Sequence, residues 1–285
     1  MKRNNMKWAL GVLALGAAGL VLLDSLFLEK YFFEVKPFDI GNKSRGGKKL
    51  RILLLTDLHF RHHLFPYYRK LAAKVNQLQP DLLFVTGDTL DSTGIIKPMD
   101  EFFSLLDQQI QKVAIPGNND YKADRSLEHL KAAYEKHQVD FLVNESKAYS
   151  VQGTRVMVTG LDDFIEGESH FKKVVKEVGR EEHHLLLVHS PLQQEAVKEK
   201  ITQINRERSA ADQLNIRYVF AGHTHGGQIR LPGYVPVLPG MSGDYVNGWY
   251  NDSAPFLYVS RGFGASTIPM RFDARSEVTL FNYYT

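Results

Sequence analysis

Seven short apolar runs constrain how this chain can fold. They are RILLLT at 51–56, DLLFVT at 81–86, KVAI at 112–115, RVMVT at 155–159, HLLLV at 184–188, RYVF at 217–220 and FLYVS at 256–260. Each is too short for a helix. Each is also nearly continuous in apolar residues, the pattern of a strand covered on both faces. Helical spacing fills several of the gaps. Pro66 suits a first helical turn, Tyr68, Leu71, Ala72, Val75 and Leu78 follow on one face, and Pro80 closes the segment. Residues 126–137 predict a second helix with Ser126 at its N-cap. Charged amphipathic stretches at 171–178 and 193–204 predict two more. Strands alternating with helices predict a layered α/β sandwich.

Composition narrows the chemistry. The 35 Lys and Arg against 32 Asp and Glu give a net charge of +3 with no basic cluster, so no nucleic-acid partner is expected. Cysteine is absent, which removes disulfides, thiolate metal sites and cysteine nucleophiles. Any metal must then be held by His, Asp, Glu, Asn or water, and 11 histidines are available.

The N-terminus is of another kind. Trp8 to Leu23 carry no charge and follow Lys2, Arg3 and Lys7. The run is slightly short of the roughly 20 residues of a membrane span, and reaches that length if Asp24 sits at the interface. No clear small-x-small cleavage site follows it. A retained single-pass anchor in the cell membrane is therefore expected ahead of a cleaved signal peptide or a helix lying on the membrane surface. Lys30, Lys36, Lys43 and Arg45 follow on the far side, so charge bias does not assign the side on which the domain lies. The expected organisation is an anchor at 1–30, a linker or first strand at 31–49, and one domain at 50–285.

The residues just past each apolar run carry the chemistry. Asp57 and His59 come after the first, Gly87 and Asp88 after the second, and Gly117-Asn118-Asn119-Asp120 after the third. His189 comes after the fifth, and Gly222-His223-Thr224-His225-Gly226-Gly227 after the sixth. In an open α/β sheet, ligands bind beyond the carboxyl ends of the strands. Residues two apart on a strand point the same way, so Asp57 with His59, and His223 with His225, deliver paired donors. Carboxylate, imidazole and amide oxygen suit Mn, Fe, Zn or Co. Seven such donors are too many for one ion and enough for two if one carboxylate bridges.

With these motifs in place, the sequence resembles the calcineurin-like metallophosphoesterases over about residues 50–285. Its Gly-His-Thr-His-Gly-Gly-Gln stretch and anchored layout are similar to the branch containing the bacterial YkuE and YaeI proteins, which includes hydrolases of UDP-2,3-diacylglucosamine in lipid A biosynthesis. The resemblance implies a four-layer α/β/β/α sandwich and a dinuclear centre. One ion would lie among Asp57, His59, Asp88 and His225, the other among Asp88, Asn118, His189 and His223, with Asp88 shared. It also implies hydrolysis of a phosphodiester or pyrophosphate bond in a phosphorylated small molecule or a nucleotide-linked glycolipid, two cations polarising the phosphoryl group and acidifying a water. A broad surface phosphodiesterase or phosphatase, and a non-catalytic metal-binding scaffold, are the alternatives.

One position departs from the family. The usual Gly-Asn-His-Asp here reads Gly-Asn-Asn-Asp. The family histidine contacts the phosphoryl group, and Asn119 in its place has no proton to give near neutral pH. Preference for pyrophosphate or other activated bonds is one consequence; simple drift is the other. Asn119 and Asp120 are the catalytic candidates, Asp120 as the group that orients Asn119 or its turn. Arg61 and His62, with His63 beside them, are candidates for binding substrate phosphate. Asp162 and Asp163 suit a turn, and His183 and His184 a structural role. Arg261 and Arg271 are expected in salt bridges. Residues 232–249, rich in Gly, Pro and aromatics, suggest a loop at the site's mouth.

Overall fold

The computed structural model describes residues 2–43 and 46–285, so Ser44 and Arg45 of the polar stretch lie outside the described residues. Helix α1 (Lys2–Leu23) passes through one π-helical turn, Asp24–Leu28, into the short α2 (Glu29–Tyr31). The span Leu10–Tyr31 is long and apolar enough to cross a membrane.

Two six-stranded sheets form the rest. The first contains β1 (Glu34–Gly41), β2 (Lys49–Leu55), β3 (Leu82–Thr86), β4 (Gln111–Ile115), β5 (Val139–Phe141) and β12 (Glu277–Tyr284), in the order β1-β12-β2-β3-β4-β5. The second contains β6 (Glu145–Val151), β7 (Thr154–Gly160), β8 (His184–Leu187), β9 (Ile216–Ala221), β10 (Gly248–Tyr250) and β11 (Phe256–Val259), in the order β10-β11-β9-β8-β7-β6. β2 to β5 run parallel, as do β7, β8, β9 and β11, so the chemistry-bearing strand ends of each sheet share one edge.

The period-2 alternation of β2 shows how the layers form. Ile52 and Leu54 point between the sheets, where they join Phe84, Val113, Leu185 and Phe220. Leu53 and Leu55 point outward into a second core built with α3 (Pro66–Leu78), α4 (Lys97–Ser104) and α6 (Glu128–Lys136). On the far side α7 (Phe171–Val174) and α8 (Gln193–Glu207) cover the second sheet through Phe171, Val175 and Val197. The result is the expected α/β/β/α order.

One helix expectation is corrected. Ser126 is not the N-cap of α6. It accepts one amide, from Glu128 at 3.3 Å, while the Asp124 carboxylate takes those of His129 and Leu130 at 2.8 and 3.1 Å. Asn118–Ala123 forms a further short helix, α5.

Candidate metal centre

All seven predicted donors arrive at one edge of the sandwich. Asp57, His59, Asp88 and Asn118 come from the first sheet, and His189, His223 and His225 from the second. All are buried. Oxygen and nitrogen atoms of Asp57, His59 and His225 lie within 4.8 Å of one another, and so do those of Asp57, Asp88 and His189. Asp88 stands between the groups: Oδ2 is 3.5 Å from His59 Nε2, and Oδ1 is 3.4 Å from His189 Nε2. The Nε2 atoms of His59 and His225 are 3.0 Å apart, and His189 Nε2 is 3.2 Å from Asn118 Oδ1.

The backbone is strained where these side chains leave it. Asp57, His59, Asp88, His223 and His225 all take positive φ, between 47° and 72°. Non-glycine residues rarely do so, and such outliers cluster at functional sites. The same crowding selects glycine beside them. A Cβ on Gly117 would lie 2.4 Å from Asp88 Oδ1, and one on Gly222 would lie 2.6 Å from Asp57 Oδ2.

Residues 50–227 match the family model described as calcineurin-like phosphoesterase. The chain belongs to this family. It is also similar to whole proteins. The "uncharacterized metallophosphoesterase YkuE" of Bacillus subtilis is 27% identical over 98% of this chain and 96% of its own length. B. subtilis YpbG is 26% identical over 94% and 93%. A Bos taurus "transmembrane protein with metallophosphoesterase domain" is 26% identical over 81% of this chain and 52% of its own length. The chain is accordingly a metal-dependent phosphoester hydrolase.

Calcineurin-like phosphoesterases use a dinuclear centre, and the donor set here fits one. His189 donates Nδ1–H to the Thr86 carbonyl at 2.8 Å, which leaves Nε2 for the cluster. His223 donates Nε2–H to the Gly240 carbonyl at 2.8 Å, so its lone pair is on Nδ1. Burial pushes His59 and His223 down to about 4 and His225 further, so these imidazoles are neutral, as ligation requires. Burial, with Asp88 beside it, pushes Asp57 up. Burial would raise Asp88 too, but His189 and His59 outweigh it and hold Asp88 well below the carboxylate range. Burial would likewise lower His189, yet Asp88, Asp57 and Asp163 hold it well above the usual imidazole value. A proton on His189 thus offsets carboxylate charge that a divalent cation would offset more fully.

The other candidates sort by what they touch. Asn119 is half-buried and turns toward Asp88: its N–H donates to Oδ1 and its Nδ2 to Oδ2, both at 2.7 Å. Asp120 is fully buried and accepts the amides of Leu90 and Gly117 at 2.8 and 2.9 Å, so it holds the turn that carries Asn118 and Asn119. Arg61 pairs with Asp91 at 3.0 Å and donates to the Ala265 carbonyl at 3.1 Å, while His62 and His63 are exposed beside it. Asp162 and Asp163 accept main-chain amides between 163 and 168, as a turn requires. His183 bonds Tyr283, and His184 bonds Thr159.

Arg261 pairs with Glu277 at 2.9 Å and with Glu34, as expected. Arg271 is a correction. It makes no salt bridge among the described residues, because its guanidinium is enclosed by the carbonyls of Gly264, Ala274, Arg261 and His225 and by His225 Nδ1. The loop at 232–249 does reach the site. Its carbonyls at Gly240, Met241 and Val246 accept bonds from His223, Ser190 and Thr224. The main-chain carbonyls of Thr86 and Gly240, which orient two histidines, have no signature in a sequence. Arg271 had a signal in its Gly- and Pro-rich setting, but not its role.

Proposed function

We propose that this chain holds two divalent cations among Asp57, His59, Asp88, Asn118, His189, His223 and His225, with Asp88 shared, and hydrolyses an activated phosphodiester or pyrophosphate bond at the membrane. The carrying observation is the convergence of these seven donors from both sheets. The cations would be Mn, Fe, Zn or Co, and when bound they would activate water and draw charge from the phosphoryl group. The chain's own contribution is placement. Thr86 and Gly240 fix two imidazoles, Asp120 holds the turn that carries Asn118 and Asn119, and Arg271 packs behind His225. Asn119 offers an amide N–H to a phosphoryl oxygen but no proton to a leaving group, which favours leaving groups that depart without one.

The apolar N-terminal helix, and the membrane in the Bos taurus relative's name, support a membrane setting with Leu10–Tyr31 as the anchor. A nucleotide-linked glycolipid such as UDP-2,3-diacylglucosamine combines a pyrophosphate with such a setting. A broad surface phosphodiesterase is the second reading, and holds if the domain lies outside the cytoplasm.

The test is turnover of bis(4-nitrophenyl) phosphate by the purified full chain with each metal and with chelator. Turnover with metal and loss with chelator is expected; none with any of the four metals would support a scaffold instead. Protease accessibility on spheroplasts then decides the glycolipid, because an external domain cannot meet a cytoplasmic UDP-linked substrate.

A further inference from the structure

The anchor does more than precede the phosphoesterase domain; its C-terminal end is packed into it. The Ser25 carbonyl accepts the Arg271 amide at 2.8 Å, and the Glu29 carbonyl accepts that of Ser276 at 3.2 Å. Lys30 Nζ donates to the Pro269 carbonyl at 3.0 Å, and Lys70 Nζ to that of Tyr31 at 2.8 Å. Between this segment and the metal centre lies a cavity of about 310 Å³. Leu26 and Phe27 from the anchor, and Phe65, Tyr67, Ala265 and Pro269 from the domain, make its wall mainly apolar. Its buried lining includes His59, and its exposed lining includes Phe27, Phe65, His62 and His63. Leu26 lies three residues past the end of α1, a rise of about 5 Å, so the cavity begins just beyond the uncharged run that ends at Leu23.

An apolar cavity that reaches a candidate metal ligand and is walled by the end of a membrane helix has the chemistry of an alkyl chain joined to a phosphate. Arg61 and Lys30 also line it and supply positive charge for the phosphate. Arg61's bonds to Asp91 and Ala265 use Nε and Nη2, leaving Nη1 without a partner among the described residues. We propose that this cavity receives the alkyl chain of an amphiphilic phosphoester whose phosphate lies at the metal centre, so that the anchor forms one wall of the substrate site. The proposal rests on the phosphoesterase reading and adds the substrate class and the residues that select it.

A series of 4-nitrophenyl alkyl phosphates from methyl to octyl, hydrolysed by the full chain in lipid nanodiscs, tests it. Each buried methylene is worth about 0.8 kcal/mol, so kcat/KM should rise by up to roughly fourfold per carbon until the cavity is full, mostly through KM. Leu26→Trp, which fills the cavity, should flatten the rise. Phe27 is 56% exposed, so Phe27→Gln spares the core, and it should reduce the octyl-to-methyl ratio by roughly tenfold. A flat series overturns the proposal. A rise that persists in both variants also overturns it, since bilayer partitioning then explains the preference. No turnover of any ester with any metal overturns the phosphoesterase reading itself, and this proposal with it.

Discussion

Asn119 stands where the family resemblance implies a histidine, and its surroundings define the consequence. The amide is held by Asp88 through both Nδ2 and the main-chain N–H, so the side chain is ordered at the cluster's edge. It can donate a hydrogen bond there, but it cannot protonate an alkoxide. Asn119→His should restore that capacity. Turnover of alkyl phosphate monoesters is expected to rise by roughly 10²-fold, the low end of what a positioned general acid supplies. Nitrophenyl and pyrophosphate substrates, whose leaving groups need no proton, should change little. Comparing kcat for ethyl phosphate and 4-nitrophenyl phosphate in both proteins measures it, and an equal gain on both would refute the leaving-group argument. That these side chains meet at one edge was legible because each follows an apolar run, and positive φ at five of them could not be read from residue identity. Aspartate and histidine enter left-handed backbone more readily than most non-glycine residues, but still far less than glycine, so the neighbouring glycines were the visible trace.

At the scale of elements, all seven apolar runs are strands, because residues covered on both faces leave continuous apolar sequence. The unread strands are those with an uncovered or polar face. β6 alternates exposed and half-buried residues along most of its length, and β5 and β10 have three residues each, while β1, with Pro37, lies in the stretch read as a linker or first strand. β12 is mostly buried, yet Glu277, Thr279 and Asn282 interrupt its apolar pattern. Helix α4 went unread because eight residues hold too little periodicity to register. The buried strands also carry a pH liability in β8. His184 is fully buried, with Nε2 2.8 Å from Thr159 Oγ1 and no partner for Nδ1 among the described residues. Burial pushes it down to about 4. Between that value and the unfolded value near 6.5 the unfolded chain binds the extra proton, so stability rises with pH. The contribution is fully present above 6.5 and is lost as pH falls toward 4; its size is of order 3 kcal/mol. Urea midpoints at pH 7 and pH 4.5 should therefore differ less for His184→Gln than for the parent. An unchanged difference would place acid sensitivity elsewhere.

For the whole molecule, the decisive geometry is that the candidate centre joins the two sheets. Four donors stand on one and three on the other, and the buried Asp57, Asp88 and Asp120 carboxylates crowd their junction. Without cations, the folded state must hold this charge in a dry place, offset by a proton on His189 and the nearby Arg271. Unfolding separates the carboxylates and returns them to water, so cations that bind only the folded arrangement stabilise it by mass action. At a free metal concentration 100 times the dissociation constant, that stabilisation is about 2.7 kcal/mol per independent site. A chain of this size gains roughly 2–4 °C in Tm per kcal/mol. Manganese added to chelator-treated protein should thus raise Tm by roughly 5–10 °C from one ion, and more when both are held. Asp88→Asn keeps the shape and removes the shared charge, so most of the increase should vanish in it. The apo variant should be less stable than the apo parent, because the ionised Asp88 that His189 and the two Asn119 hydrogen bonds favour is lost. Equal metal-induced shifts in parent and variant would mean that the ions bind elsewhere, whatever the activity measurements show.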